Sequence, residues 1–489
     1  MPRSASATSR TSFPSGPANG GPSTLPTRSD RASADGRPHM TELQETLQEL
    51  VARFGIPGAV AGVLEDGRIE TAAAGVANLN SGVEMTPDTL FLTGSITKVW
   101  TTTLLMTLVE QGLVDLDAPV KRYLPDLVLG DPQAADALVV RHLVTHSTGI
   151  DAADLIADVG DGDAAIANWM PLLRDVGQLF APGEYFSYSN AGFVLAGRLI
   201  EVVTGEGFST AMRQRLFAPL GLERSMFTAK EAILHRMAIG HRPVDGRMTP
   251  SELFMMPECL GPAGTTLITS VQDTLTFVQS HLPTLTSAKR VLSAESVDRM
   301  AAHHLDFPVP ETGSVGLSWL RKQYGDRVVL THSGGSYGGA AMVGVVPDSG
   351  AAYVAFANGG PGSMALHYEL AKVVLQDRFG LPAPLAPDLS GPEPEPSRYH
   401  GHYVCWGCDL TVTGDGDALN YRAKFTDPVL GRNRAEPPPL RLRPIGEQGL
   451  ALADHPDQPP FGYGVGDDGS GHAEFLFILD HLVPRTGDH

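Results

Sequence analysis

Three cysteines in 489 residues, Cys259, Cys405 and Cys408, are too few to staple a secreted disulfide scaffold, which makes the cytoplasm the expected compartment. Apolar runs long enough to cross a bilayer are also missing, so no membrane partner is expected. Basic residues are in deficit. The 36 Lys and Arg stand against 55 Asp and Glu, a formal charge of −19, and such a surface repels nucleic-acid phosphates and anionic lipid. The first forty residues, from "MPRSASATSR" to "ADGRPHM", lack the apolar core of a signal peptide and read as a disordered tail, with Met40 an alternative start. No internal repeat is found. With 42% hydrophobic residues the remaining chain has the composition of a folded protein of two or three domains.

"TELQETLQELVARFG" (41–55) has helical periodicity and stops at Gly55, after which "GAVAGVLEDGRIETAAAG" reads as a hairpin turning at Asp66-Gly67. Residues 95–300 are mostly helical in pattern. Strands return at "RVVLTHS", and a helix-like "ALHYELAKVVLQDRFG" follows. Strands at both ends with helices between them predict an α/β unit over 41–380, in which N- and C-terminal strands share an antiparallel sheet and the helices form a large insertion. Residues 381–397 form a proline-rich linker. Beyond it, short strand-like runs over 398–489 predict a small all-β domain, a lipocalin-like barrel or a sandwich.

Gly334-Gly335-Ser336-Tyr337-Gly338 matches the G-x-S-x-G elbow that presents the nucleophile of many esterases. That elbow needs a helix after the serine. Here two β-branched runs follow, joined by Pro347-Asp348-Ser349-Gly350, so a hairpin is predicted and Ser336 is not the expected nucleophile.

Three other stretches carry chemistry. In "LFLTGSITKVWTTTLLMTLVEQG" Ser95 stands where an irregular segment becomes a helix, and Lys98 lies three residues on, on the same helical face. The amine can activate the hydroxyl if burial and the helix N-terminus lower its pKa from the usual value of about 10.4. In "YFSYSNAGFVLAGRLIEVVTG" Tyr188 is placed to relay the serine proton, and Asn190 to hydrogen-bond both Lys98 and a substrate amide. The plain alternative is a packed tyrosine and a helix cap. In "RVVLTHSGG" His332 is expected to face the cleft as a partly charged donor, while Ser333, Gly334 and Gly335 let a substrate backbone lie along a strand edge.

Together, in this order and separation, these stretches resemble the serine β-lactamase and penicillin-binding-protein superfamily, most closely its class C β-lactamase, D-Ala-D-Ala carboxypeptidase and esterase branch. "VRHLVTHSTGI", "LFAPLGLERSMF" and "LGPAGTTLITSVQD" support the resemblance over about residues 41–380. It implies a β-lactamase-like fold and an acyl-enzyme mechanism without a cofactor. Ser95 would attack a carbonyl, Lys98 and Tyr188 would share general-base and general-acid duty, and Asn190 would orient the acyl group. The N–H groups of Ser95 and Gly335 would form the oxyanion hole. His332 stands where many relatives carry the lysine of K-T-G, a departure that argues against efficient β-lactam turnover.

Several functions fit the resemblance. A hydrolase or acyltransferase acting on a small ester, amide or peptidyl substrate is the first. A penicillin-binding-protein-type thioesterase that offloads and macrocyclises a nonribosomal peptide is a close variant, with a thioester-bearing carrier protein as partner. A D-Ala-D-Ala carboxypeptidase, a class C-like β-lactamase and a silent acyl-peptide-binding module are the others. No metal is expected: His142 and His146 lack the glutamate of H-E-x-x-H, and His400, His402, Cys405 and Cys408 are read as a tight turn.

Overall fold

The computed structural model describes residues 41–487 apart from 153–154, 287, 310–312, 388, 417, 427–435 and 456–457. The expected tail at 1–40 lies outside the described residues. Helix α1 (Glu42–Phe54) places Leu43, Leu47 and Leu50 on one buried stripe and ends at Gly55, whose φ of +61° few other residues adopt. Strands β1 (Gly58–Glu65) and β2 (Arg68–Asn78) form a hairpin through Asp66 and Gly67, both at positive φ.

Four more long strands follow the helical region: β3 (Leu320–Tyr324), β4 (Arg327–Ser336), β5 (Gly339–Val346) and β6 (Ala351–Ala357). Among the described residues the antiparallel sheet has nine strands in the order Val83–Glu84, β2, β1, β6, β5, β4, β3, Ser314–Val315 and Leu305–Asp306. The first and last long strands of the unit, β1 and β6, are neighbours, third and fourth in that order.

Both faces of this sheet are covered, which is why its central strands are apolar throughout. Ala351, Tyr353 and Ala355 of β6 join a core with α1 and α5 (Gly360–Lys372), while Ala352, Val354 and Phe356 point into the larger core on the other side. There α4 (Val271–Gln279) lies close against β1, because a side chain at Gly62 would meet Val271 Cγ1 at 2.5 Å. Helix α2 (Thr97–Glu110) is buried on nearly every side, with Trp100 stacked on Phe277 at 4.0 Å between ring centroids.

The C-terminal strands close into an eight-stranded antiparallel barrel: β7 (Gly401–Cys405), β8 (Cys408–Asp415), β9 (Ala418–Phe425), β10 (Leu440–Ile445), β11 (Gly449–Leu452), β12 (Gly462–Val465), β13 (Phe475–Ile478) and β14 (His481–Gly487). Tyr399, Tyr403, Leu410, Leu442 and Leu476 fill its interior. Phe475, Phe477 and Leu482 pack outward onto Phe180 and Phe186 of the helical region. Two hydrogen bonds add to this contact: Trp406 N–H donates to Asp151 Oδ1 at 2.7 Å, and Leu482 N–H to Ser187 Oγ at 3.1 Å. Among the described residues no helix is long and apolar enough to cross a membrane.

Two histidines are sealed inside the α/β unit. His281, bonded to Thr103 Oγ1 at 2.9 Å, is pushed down to about 4, and His367 to about 3, chiefly by burial. In the unfolded chain each takes a proton below about pH 6.5. The stability these neutral imidazoles contribute is therefore whole above about pH 6.5 and is lost as the pH falls toward 3–4, each adding about 1.4 kcal/mol per pH unit to the slope. Urea midpoints should be flat above neutrality and fall steeply in mild acid. His367→Leu should make that fall shallower, since neither ring nitrogen of His367 has a hydrogen-bond partner to lose among the described residues.

Candidate active site

The segment carrying Ser95 is held by backbone. Phe91–Leu92 pairs with Ile268–Thr269, and Thr93 N–H donates to Leu267 O at 3.1 Å. Gly94 then turns the chain at φ +58°, where a Cβ would stand 2.4 Å from Gly335 O. Ser95 follows in a 3₁₀ turn, Gly94–Ile96, that runs into α2. From the opposite directions, Gly334 lies so close that a Cβ there would meet Thr93 O at 1.9 Å, and Gly264 that one would meet Ser95 N at 2.8 Å. Three backbones thus meet at Ser95 where only glycine fits.

Lys98, one turn into α2, is fully buried. Its ammonium nitrogen donates to Ser95 Oγ at 2.9 Å and to Ala263 O at 2.6 Å. It also lies 4.8 Å from the Tyr188 ring centroid and 5.5 Å from that of Phe193. Two oxygens and two aromatic rings replace the water this amine lost on burial. Tyr188 and Asn190 arrive at the start of helix α3 (Asn190–Thr204), which Ser189 caps through Oγ to the Gly192 N–H.

Strand β4 supplies the third wall. Its pairing with β3 ends at Thr331, whereas its pairing with β5 continues to Ser336. The far edge of residues 332–336 is therefore left by β3 beside Ser95, and Gly335 is exposed there. Ser336 is the last residue of the strand and leads through Tyr337-Gly338 into β5, so no helix follows it.

His332 departs from the expectation of a partly charged group facing the cleft. It is buried, and burial together with the nearby Lys98 charge pushes it down to about 3, so it is neutral at any working pH. Its Nδ1–H donates to Ser333 O at 2.7 Å. The remaining Nε2 is then a lone pair, an acceptor and not the donor expected from the sequence.

Ser95, Tyr188, Asn190 and Gly335 line one cavity of about 210 Å3. Ile156, Met256, Leu260 and Ala263 supply its apolar wall, and Gly264 and Thr265 complete it. His332, Ser333 and Gly334 are not among its lining residues. A larger hollow of about 470 Å3 beside Ile56, Pro57 and Gly75 is lined by no titratable side chain.

Several contributors were not anticipated from the sequence. The Gly-Pro-Ala-Gly run at 261–264 is a local signal of close backbone approach. The barrel gave none: Tyr188 N–H donates to Asp480 O at 2.8 Å, and the His481 ring meets the Tyr188 ring edge-on at 5.7 Å. These contacts come from the turn between β13 and β14, where Leu479 and Asp480 both hold positive φ. Among the described residues no group of three His, Cys, Asp or Glu side chains is arranged to hold a metal.

A family model described as Beta-lactamase matches residues 43–376. Penicillin-binding protein 4 of Amycolatopsis lactamdurans is 34% identical over 354 residues, 70% of this chain and 92% of that protein. Among solved structures, SurE with D-Leu superposes with a TM-score of 0.69 at 25% identity, over 91% of this chain and 98% of its own. The D-amino acid amidase from Ochrobactrum anthropi SV3, complexed with L-phenylalanine amide, superposes with a TM-score of 0.59 at 26% identity, over 69% of this chain and 97% of its own.

The two adjacent glycines of β4 should respond differently to a methyl group. Gly334→Ala drives a Cβ into the Thr93 carbonyl and should both lower the thermal midpoint and abolish labelling of Ser95 by a fluorophosphonate. Gly335→Ala, whose Cβ meets nothing within 4 Å, should fold normally and still be labelled. Differential scanning fluorimetry and a gel-based labelling time course check both outcomes.

Proposed function

The chain belongs to the beta-lactamase family and is a serine hydrolase of that superfamily, and from this premise we propose that it transfers the acyl group of an uncharged ester, amide or thioester through an acyl-Ser95 intermediate. The observation that carries the reading is the 2.9 Å contact between Ser95 Oγ and the buried Lys98 amine. Lys98 acts as base in its unprotonated form: the ammonium first releases a proton to solvent, and as the Oγ–carbon bond forms the hydroxyl proton passes to the free amine. The developing oxyanion is received by the N–H groups of Ser95 and Gly335. Collapse of the tetrahedral adduct breaks the bond to the leaving group, which takes its proton from Lys98 by way of Tyr188. Water or an amine then attacks the acyl-enzyme and regenerates Ser95. Asn190 orients the acyl amide.

Substrate class follows from the walls. Ile156, Met256, Leu260 and Ala263 suit an uncharged side chain, and the cavity lining includes no Arg or Lys to receive a carboxylate. Neutral His332 supplies no cation either. The strand edge left beside Ser95 by β3 favours a peptidyl substrate, whose extended backbone can pair with it. The D-Leu in the SurE structure and the name of the D-amino acid amidase support a D-configured residue at the acyl position. A second reading, a thioesterase that offloads and cyclises a nonribosomal peptide from a carrier protein, rests on the same edge: a long acyl chain can lie along it while its own amine returns to the ester. The cytoplasm is the compartment where such a carrier would be met.

Ser95→Ala should abolish acyl transfer, and Ser336→Ala should leave at least about a tenth of it, since only Ser95 has an amine one turn away. Mass spectrometry after incubation with an activated ester locates the adduct; one on a Ser336 peptide would overturn the assignment. Lys98→Ala and Tyr188→Phe should each slow acylation by about 10²–10⁴-fold with the fold intact.

A chromogenic cephalosporin should show a kcat/KM at least about tenfold below that of a neutral aryl ester, because its carboxylate finds no charge-assisted hydrogen bond, worth about 1.5–3 kcal/mol. A preference for the cephalosporin would return the protein to the lactamase class.

A further inference from the structure

His146 is a titratable side chain whose ring packs face-on against Tyr188, and the mechanism above makes no use of it. Its ring is stacked on the Tyr188 ring, 4.3 Å between centroids and 20° from parallel. It does not line the cavity, so it does not touch substrate. Its backbone has a φ of +54°, a left-handed conformation that costs any residue with a Cβ.

That conformation turns the carbonyl and the imidazole of His146 toward the same piece of chain. Ser187 N–H donates to His146 O at 2.9 Å, and Ser189 N–H donates to His146 Nδ1 at 2.9 Å. Residues 187 and 189 of an extended segment present their N–H groups to one side and residue 188 to the other. On that other side the Tyr188 N–H is taken by Asp480 O of the barrel. The residue on each side of Tyr188 thus donates its N–H to His146, the ring is backed by it, and the Tyr188 N–H is tied across the domain contact. The imidazole is itself enclosed by Phe186 and Phe193, at 5.5 and 5.0 Å between centroids.

The acceptor role needs Nδ1 without a proton. Burial first, and then the nearby Lys98 charge, hold the group well below the usual histidine range, which keeps it neutral. The proton then sits on Nε2, which is buried without a hydrogen-bond partner among the described residues. Packing alone would be served better by phenylalanine, which has no buried N–H. Turn geometry alone would be served better by glycine or asparagine. Histidine combines a flat ring with an acceptor at the first ring atom, and both are used on the segment that carries Tyr188.

We infer that His146 is the positioning residue of Tyr188, setting the phenol against Lys98 and Ser95 through one ring stack and two backbone hydrogen bonds. This rests on the assignment of Tyr188 to proton transfer. A double-mutant cycle in single-turnover acylation of a neutral aryl ester tests it, with circular dichroism on every variant. His146→Phe keeps the ring and removes the acceptor. It should lower the acylation rate at least about tenfold with KM changed by less than about threefold, and in the Tyr188→Phe background it should cost less than about twofold, because the group it places is gone. His146→Asn keeps an acceptor and tolerates the left-handed turn. It should be faster than His146→Phe, and if His146→Phe does not fold, the same cycle with His146→Asn decides by the same non-additivity.

An equal loss in both backgrounds, or a wild-type rate in His146→Phe, overturns the role of His146 while leaving Tyr188 in place. A wild-type rate in Tyr188→Phe strikes out the assignment of Tyr188, and the positioning role with it.

Discussion

Burying an amine is the constraint around which the site is organised. A lysine nitrogen inside a protein must replace its lost hydration with oxygen atoms and aromatic faces, and residues on its own helix turn can supply only part of them. Lys98 takes Ser95 Oγ from its own turn, Ala263 O from the loop before Ile268–Thr269, and the rings of Tyr188 and Phe193 from the start of α3. Each partner fixes a different segment. The nucleophile, the proton relay and the cavity wall are therefore placed by the same requirement that makes the amine tolerable in the core.

The glycines serve that requirement from outside. Gly94, Gly264 and Gly334 let the Ser95 turn, the Ala263 loop and strand β4 approach until their backbones touch. Backbone contact brings peptide N–H groups to the cavity, where side chains would only fill it. The cost is a loss of tolerance: at each of these three positions one methyl group would meet main-chain atoms at less than 3 Å.

The barrel enters the site through a single turn. Leu479 and Asp480 hold positive φ in succession, an arrangement more usual for Asn-Gly, and the carbonyl this exposes receives the Tyr188 N–H. The similarity to SurE covers 91% of the chain, more than the 43–376 stretch matched by the family model, and so takes in the barrel as well. A barrel packed on Phe180 and Phe186 and bonded to Tyr188 is part of the frame of the site.

Local pattern was enough for much of this. Ser95 and Lys98 lie one turn apart on a helix, the Ser336 stretch is followed by β-branched runs, and Asp66-Gly67 sits between two apolar strands; each reading needs only the geometry of a few neighbouring residues, and each stands in the structure. Long-range facts were legible only through the resemblance, as with the meeting of Ser95, Tyr188 and β4. Two things were beyond the sequence. The direction and charge of His332 depend on burial and on one hydrogen bond to Ser333 O, which reverse the donor read from its residue type. The company of Tyr188, namely His146, Asp480 and His481, comes from 42 residues before it and nearly 300 after. Sequence determines which groups can do the chemistry, because that is a property of side chains and short spacings. Their protonation, orientation and partners were decided by tertiary structure, because those depend on which distant atoms exclude water from them.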